Sequence, residues 1–348
     1  MTIEWLMAVK QLDSSCISRT ALKIPNDCCL DSDKSRMNEH GHIPVLLNEV
    51  LETLAPRPGD VVVDCTLGRG GHAMALGQAI GPDGLLLGLD RDSENLAYAS
   101  KRLQEAEIPA STIHDSFARV TEHVQALGRP ANVVLADLGV SSNQLDDARR
   151  GFGFHDESPL DMRLDQQEQI DLTKLLAEIE ESELAHLIRT YGEDPFANAI
   201  ARKVAQERQT RPITTTGHLL DLVKEAYGPR ARSSRLHPAT RTFMALRIAL
   251  NDEIAALETL LDRIGRGCES ARTGGWLHPE ARVGIISFHS LEDRPVKQAF
   301  AELDRRGLAS RLTRRLVRPS DSEIQENPRS RSARFRAIRV SDPASPSG

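Results

Sequence analysis

The chain predicts an α/β fold, a largely parallel sheet covered by helices on both faces, with a helical insertion after the fourth strand. Three observations carry that expectation. Short apolar runs alternate with helical stretches from Gly59 to Asp137. The runs are apolar at successive positions rather than at every second one, as in strands buried on both sides. Between about 145 and 240 helical stretches continue while clear strands disappear.

Val61-Val62-Val63-Asp64 is the first strand, followed by the glycine-rich turn Gly68-Arg69-Gly70-Gly71 and a helix from about His72 to Ile80. Gly81-Pro82-Asp83-Gly84 is a turn signal. Leu85 to Asp90 reads as the second strand, and Ser93 is the candidate cap of a helix through Leu96, Ala99 and Leu103. Thr112-Ile113-His114 is a weaker third strand, Val120 to Leu127 a short helix, and Asn132 to Asp137 the fourth strand. The insertion offers helices at Leu172 to Ile179, Glu183 to Arg189, Phe196 to Glu207 and Gly217 to Ala226. One long buried helix is expected over Thr242 to Ile264, and a fifth strand over Arg282 to Ser287. Leu312 to Val317 and Arg334 to Val340 are expected to close the sheet as an antiparallel pair.

With 348 residues, 40% of them hydrophobic, the chain can bury one large or two modest cores. A net charge of -6 argues against a uniformly basic nucleic-acid binder but leaves room for a local basic face. Cys16, Cys28, Cys29, Cys65 and Cys268 form no CxxC pair, which disfavours a disulfide framework or zinc site and fits a reducing cytoplasm. The apolar stretch Trp5 to Val9 is too short for a signal-peptide core or a membrane span, so no membrane partner is expected. Residues 1–38 read as a disordered tail. Met37 is a candidate natural start, with a genuine tail as the alternative.

Three loops carry chemistry. In Asp64-Cys65-Thr66-Leu67-Gly68-Arg69-Gly70-Gly71-His72 the glycines admit close approach of a ligand to the backbone, and the following helix offers unpaired N–H groups. The dinucleotide fingerprint and the P-loop are both absent. Asp90, ending the second strand, stands where an acid accepts hydrogen bonds from a ribose. An adenosine-type ligand follows. Nicotinamide dinucleotide and S-adenosylmethionine both fit, and the missing third glycine favours the latter. The second loop is Asp137-Leu138-Gly139-Val140-Ser141-Ser142-Asn143-Gln144, the third Ser287-Phe288-His289-Ser290-Leu291-Glu292-Asp293-Arg294. Both leave the carboxyl edge of the sheet, where open α/β sheets bind ligands.

Together with Gln144-Leu145-Asp146-Asp147, Arg150-Gly151-Phe152, Pro159-Leu160-Asp161-Met162-Arg163 and His237-Pro238-Ala239-Thr240-Arg241-Thr242-Phe243, these motifs resemble those of the ribosomal RNA small subunit methyltransferase H (MraW) family, in order from about His42 to Val340. The resemblance implies a Rossmann-like class I methyltransferase sheet. Residues 39–144 and 241–348 would form the catalytic domain, and 145–240 a substrate-recognition insertion. It implies methyl transfer from S-adenosylmethionine to the exocyclic N4 of a cytidine in the decoding region of 16S ribosomal RNA. Gly70, Gly71, His72, Asp90, Phe117, Asp137 and Gln144 would contact the cofactor. The implied partner is that RNA within the small ribosomal subunit, and a homodimer is compatible with it. Asn143 stands where the family usually has proline, which leaves this loop without proline's constraint, and the region between Phe300 and Arg314 looks shortened.

A cytosine amine is a poor nucleophile whose lone pair is delocalised into the ring. It must be unstacked, aligned with the methyl group and relieved of a proton. The sulfonium is the electrophile, so no metal is required. Asp137 is the first candidate catalytic residue, to orient the amine, hold the cofactor, or do both; His289 is the second candidate proton acceptor. Arg232, Arg235, Arg241 and Arg247, and Arg314, Arg315, Arg318, Arg329, Arg331, Arg334, Arg336 and Arg339, are candidate groups for RNA contact, the alternative being a solvated basic face. With 4% aromatics, phosphate and shape contacts should outweigh base stacking. Competing readings are a nicotinamide oxidoreductase, disfavoured by the absent fingerprint, and a DNA amino-methyltransferase, whose Pro-Pro-aromatic signature is missing after Asp137. A catalytically idle ribosome-assembly protein would not need the cofactor loops.

Overall fold

The computed structural model describes residues 44–154, 157–233 and 237–342. The expected tail with Met37, and Arg235, lie outside the described residues, as does the side chain of Arg232. Contacts divide the chain into two compact units. Of the described residues, one comprises Phe154–Asp161 and Ile170–Leu246; the other comprises residues 44–153, Met162–Gln169 and residues 247–342.

The larger unit is an α/β sandwich. Helix α1 (Leu47–Leu54) precedes β1 (Val61–Asp64), α2 (Gly71–Ile80), β2 (Leu85–Asp90), α3 (Ser93–Glu105) and β3 (Ala110–His114). A single 3-10 turn (Phe117–Arg119) leads into α4 (Val120–Ala126), β4 (Ala131–Asp137) and the short α5 (Ser142–Asp146). The seven-stranded sheet runs β3-β2-β1-β4-β5-β7-β6, where β5 is Leu277–Ser287, β6 Ala309–Arg311 and β7 Arg334–Val340. Strands β1 to β5 pair in parallel, and β7 is antiparallel to both β5 and β6. This is the α/β class that the apolar runs predict.

Successive strand residues face opposite sides, so each strand feeds two cores. Val62, Leu86, Val133 and Leu135 pack with Leu54, Leu76, Ile80 and Leu103 on one face. Val63, Leu87, Val134 and Ala136 pack on the other with Val120, Val124 and the residues Leu257, Leu260 and Ile264 of α11 (Glu253–Ser270). Both faces are covered, which is why the runs show no polar alternation.

The smaller unit holds α6 (Leu172–Glu178), α7 (Glu181–Gly192), α8 (Ala197–Glu207) and α9 (Thr216–Tyr227), with α8 packed on both α7 and α9. Its buried polar centre is Asp194, which accepts hydrogen bonds from Tyr227 Oη at 3.0 Å, Thr242 Oγ1 at 3.1 Å and Phe196 N at 2.9 Å.

Four local expectations are corrected. Asp92, not Ser93, caps α3, accepting from Glu94 N and Asn95 N. The single helix expected over Thr242 to Ile264 is two, α10 (Ala239–Asn251) and α11. Asp252 between them adopts φ 52°, the left-handed conformation that aspartate tolerates better than most residues. Asn251 fixes the break by donating to Met162 O at 2.8 Å and accepting from Leu164 N at 2.8 Å. The expected strand Leu312 to Val317 gives way to β6 three residues earlier, with Val317 retaining one isolated bridge to Phe335. Leu312 N and Thr313 N both donate to Ala337 O, while Thr313 Oγ1 accepts the Ala337 N–H, so the ladder ends there. Finally, β5 begins at Leu277 rather than Arg282.

After β5 the chain forms α12 (Ser290–Arg305), and α13 (Asp321–Glu326) lies between β6 and β7. Among the described residues no helix is long and apolar enough to cross a membrane. Gly284 of β5 is packed so closely that a Cβ there would lie 2.7 Å from Phe335 Cε2. Gly284→Ala is therefore expected to overpack this face and lower unfolding free energy by about 1–3 kcal/mol, read from urea denaturation.

Candidate active site

The turn after β1 is built by backbone geometry. Leu67 N donates to Leu89 O, and Gly68 and Gly70 then take φ 51° and 77°, where a side chain would strain the turn. Gly68 N donates to Asp90 Oδ2 at 2.6 Å, tying the turn to the end of β2. Gly71 opens α2, and a Cβ there would stand 2.8 Å from Pro44 Cγ. His72, the next residue, is buried, its Nε2 donating to Val45 O at 2.9 Å and its Nδ1 lying 3.8 Å from Asp137 Oδ2.

Beside this turn a buried polar network centres on Asp92. Arg150 Nη1 pairs with Asp92 Oδ2 at 2.5 Å, and Gln144 Nε2 donates to the same oxygen at 2.7 Å. Gln144 Oε1 accepts from Ser141 N at 2.9 Å, and Arg150 Nη2 donates to Arg163 O and Leu164 O. Asn143 Nδ2 donates to Asn95 Oδ1 at 2.8 Å, and Asn95 Nδ2 to Ser141 Oγ at 3.2 Å. Asn143, expected to leave the loop without proline's constraint, thus provides a tether of its own.

The third component is acidic. Leu138 N donates to Ile286 O at 3.0 Å, so the loops after β4 and β5 leave the sheet side by side. Asp137 N donates to Thr66 Oγ1 at 2.6 Å, while Asp137 Oδ1 is buried with no partner. Burial, reinforced by the nearby Asp64 and Glu292 carboxylates, pushes the Asp137 carboxyl well above its usual range. Asp64 is raised to about 7, chiefly by burial, with the Thr66 N–H opposing and Asp90 adding to the rise. Asp90 is raised to about 6 by burial, partly offset by the N–H groups of Asp92 and Gly68.

Glu292 goes the other way. Burial pushes it up, but His289, the Phe288 N–H and Arg247 outweigh that and hold its carboxyl below the usual value. Its Oε2 accepts from Phe288 N at 2.8 Å and His289 N at 3.3 Å, and its Oε1 lies 3.1 Å from His289 Nε2. Arg247, bidentate on Glu253, supplies the balancing positive charge.

The structure therefore gathers Gly70, Gly71, His72, Asp90, Asp137 and Gln144 around the carboxyl ends of β1, β2 and β4, with His289 at the end of β5. Phe117 opens the 3-10 turn after β3 and packs against the apolar core on that face. Gln144 is buried with its amide engaged on both sides. Asp92 lies outside the sequence motifs, and Arg150 and Glu292 stand within them with no role that the sequence assigns. Asp92 and Arg150 meet across 58 positions with no local pattern to pair them. Glu292 was legible as the capping-box residue three after His289.

The model of the MraW methylase family matches residues 39–341. The chain belongs to the MraW methylase family. Among curated proteins, the ribosomal RNA small subunit methyltransferase H of Symbiobacterium thermophilum is 44% identical over 313 residues, covering 85% of this chain and 96% of that one. The same-named proteins of Geotalea uraniireducens and Clostridioides difficile are 42% and 39% identical, covering 86% of this chain and 99% and 98% of theirs.

As an MraW methylase with this sheet, the protein takes S-adenosylmethionine as its methyl donor. The residues present fit that group. The two left-handed glycines expose backbone, each Asp90 oxygen keeps a lone pair beyond its one N–H bond, and Asp137 Oδ1 is an unmet acceptor.

A pH dependence follows from Asp64. Between the ordinary value of 3.8 and about 7 the folded chain holds a proton that the unfolded chain has released. Stability should therefore fall as pH rises through that window. Asp64→Asn is expected to flatten the pH 4–7 dependence of urea stability, leaving the contributions of Asp90 and Asp137. An unchanged slope would count against the buried, protonated Asp64.

Proposed function

We propose that this MraW methylase transfers a methyl group to the exocyclic N4 of a cytidine in the decoding region of 16S ribosomal RNA, within the small ribosomal subunit. The observation that carries the reading is the unpartnered, buried Asp137 Oδ1 at the end of β4. A cytosine amine requires an acceptor for one N–H so that its nitrogen faces the methyl group. The names of the relatives support ribosomal RNA as the substrate.

S-adenosylmethionine, when bound, supplies a methyl group made electrophilic by the sulfonium. Gly68, Gly70 and Gly71 would receive it through backbone, Asp90 through its ribose-facing carboxylate, and His72, Phe117 and Gln144 would complete the pocket wall. Asp137 Oδ1 accepts an amine hydrogen and orients the nitrogen. Its raised proton affinity makes the ionised carboxylate a capable acceptor as the N–C bond forms. His289, positioned by Glu292, is the second candidate acceptor.

RNA affinity is assigned to arginines, and their partners sort them. Arg329 pairs with Asp146, Arg336 with Asp293, Arg339 with Glu280 and Arg247 with Glu253. Arg241 donates to Glu193 O at 2.8 Å, and Arg334 lies 3.7 Å from Asp293. Arg314, Arg315, Arg318 and Arg331 are exposed and have no ion-pair partner among the described residues, so these four are the proposed phosphate contacts. The helical insertion is proposed to grip the structured RNA.

Labelled methyl transfer to small subunits lacking their native methylations, followed by nucleoside mass spectrometry, tests the reading; N4-methylcytidine is the expected product. Asp137→Asn is expected to lower kcat by about 10²–10⁴-fold with RNA affinity retained. Label absent from subunits and naked RNA, despite cofactor binding by calorimetry, would instead favour a catalytically idle assembly protein or a DNA substrate.

A further inference from the structure

Tyr98 on α3 and Phe154 are the large hydrophobic side chains left exposed among the described residues, Tyr98 at 41%. Tyr98 carries two cations. The Arg69 guanidinium carbon lies 4.7 Å from the ring centroid and that of Arg102 5.9 Å. Arg102 Nη1 also donates to Arg69 O at 2.8 Å, which fixes the two arginines to one another. Neither arginine has a carboxylate partner among the described residues, and Arg69 Nε is buried without a hydrogen-bond acceptor. Of the acids on the same helix, Glu105 pairs with Lys101 at 3.7 Å, and Glu94 makes no ion pair with either arginine. Arg69 directly precedes Gly70 and Gly71, so the cluster adjoins the turn that receives the methyl donor.

We propose that Arg69, Tyr98 and Arg102 form a docking surface for a single-stranded stretch of the RNA substrate, Tyr98 stacking on a base while the two guanidiniums meet phosphates. The inference rests on the ribosomal RNA reading above. An exposed aromatic ring flanked by unpaired cations is the chemistry that grips unpaired nucleotides without reading sequence. A cytidine presented for N4 chemistry has to be unstacked, and its flanking nucleotides then offer the free faces that such a surface takes. An acidic protein segment would satisfy the arginines but gains less from the ring. In a chain with 4% aromatics, one placed beside the donor turn is a specific provision rather than a general stacking platform.

The experiment is fluorescence anisotropy of the full chain with single-stranded RNA oligonucleotides, alongside KM and kcat on undermethylated small subunits. Tyr98→Ala is expected to weaken oligonucleotide binding by about 5- to 150-fold, the equivalent of one stacked base at 1–3 kcal/mol, and to raise KM. Tyr98→Phe, which keeps the ring, is expected to bind within about 2-fold of the parent, and cofactor affinity by calorimetry should be unchanged in both, which also reports folding. Arg102→Gln is expected to reduce the salt slope of log affinity by about 0.7, one single-strand phosphate. Equal RNA affinity for Tyr98→Ala and the parent, with the parent active on subunits, overturns the surface and leaves the function standing. Affinity lost for intact subunits but kept for naked RNA overturns it in favour of a protein partner. A parent chain that neither binds nor methylates RNA removes both readings.

Discussion

The reversal of strand order between β1 and β4 is the constraint on which the site depends. From β1 the chain winds outward to β2 and β3, then returns to place β4 on the other side of β1 and β5 beyond it. Loops leaving β1 and β4 therefore diverge, and a crevice opens between them at the carboxyl edge. Register sets its contents: Asp64 pairs with Leu135, and Asp137 with Ile286, so two carboxylates end neighbouring strands beside the β5 loop. Neither acid could occupy such a place without cost. The folded chain meets that cost by raising their proton affinity, which is also what a proton-accepting site requires.

A second layer holds that crevice in shape. Asp92 caps α3 with one oxygen and takes Arg150 and Gln144 with the other, while Arg150 reaches on to Arg163 O and Leu164 O. Ion pairs this deeply buried contribute little net stability, since desolvation offsets most of the attraction, but a missing partner leaves a charge stranded. The pair therefore acts more on geometry than on stability. It locks the segment after β4 against the end of β2, and so places Asp137 and Asp90 relative to one another. Glu292 does the same at β5, holding the Phe288 and His289 backbone and facing the His289 ring.

Arginines divide along similar lines. Those of β7 alternate with buried Phe335, Ala337, Ile338 and Val340, and Arg336 and Arg339 spend their charge on Asp293 and Glu280 of the same unit. Between β6 and β7, Arg314, Arg315, Arg318 and Arg331 stand outside the ladder with no ion-pair partner among the described residues, whereas Arg329 is held by Asp146. A basic sequence cluster is thus partly structural and partly free, and only spatial partners separate the two.

Local pattern by itself determined most of the fold. The unbroken apolar strands imply helices on both faces, the glycine-rich turn implies a backbone-lined ligand site, and Asp90, Asp137 and His289 fall at or just past the carboxyl ends of β2, β4 and β5. The cap of α3 was missed by one residue on local partners, Glu94 N and Asn95 N, but where a whole element was misjudged the decisive partner was distant in sequence. Nothing within Thr242 to Ile264 shows that Asn251 will bind Met162 O and Leu164 N and end a helix, or within Leu312 to Val317 that Thr313 will take the Ala337 N–H. The Asp92–Arg150 pair, the raised carboxylates and the Arg69–Tyr98–Arg102 cluster are likewise products of tertiary structure. Periodicity is a property of neighbours along the chain, whereas desolvation and ion pairing depend on which neighbours the fold brings through space.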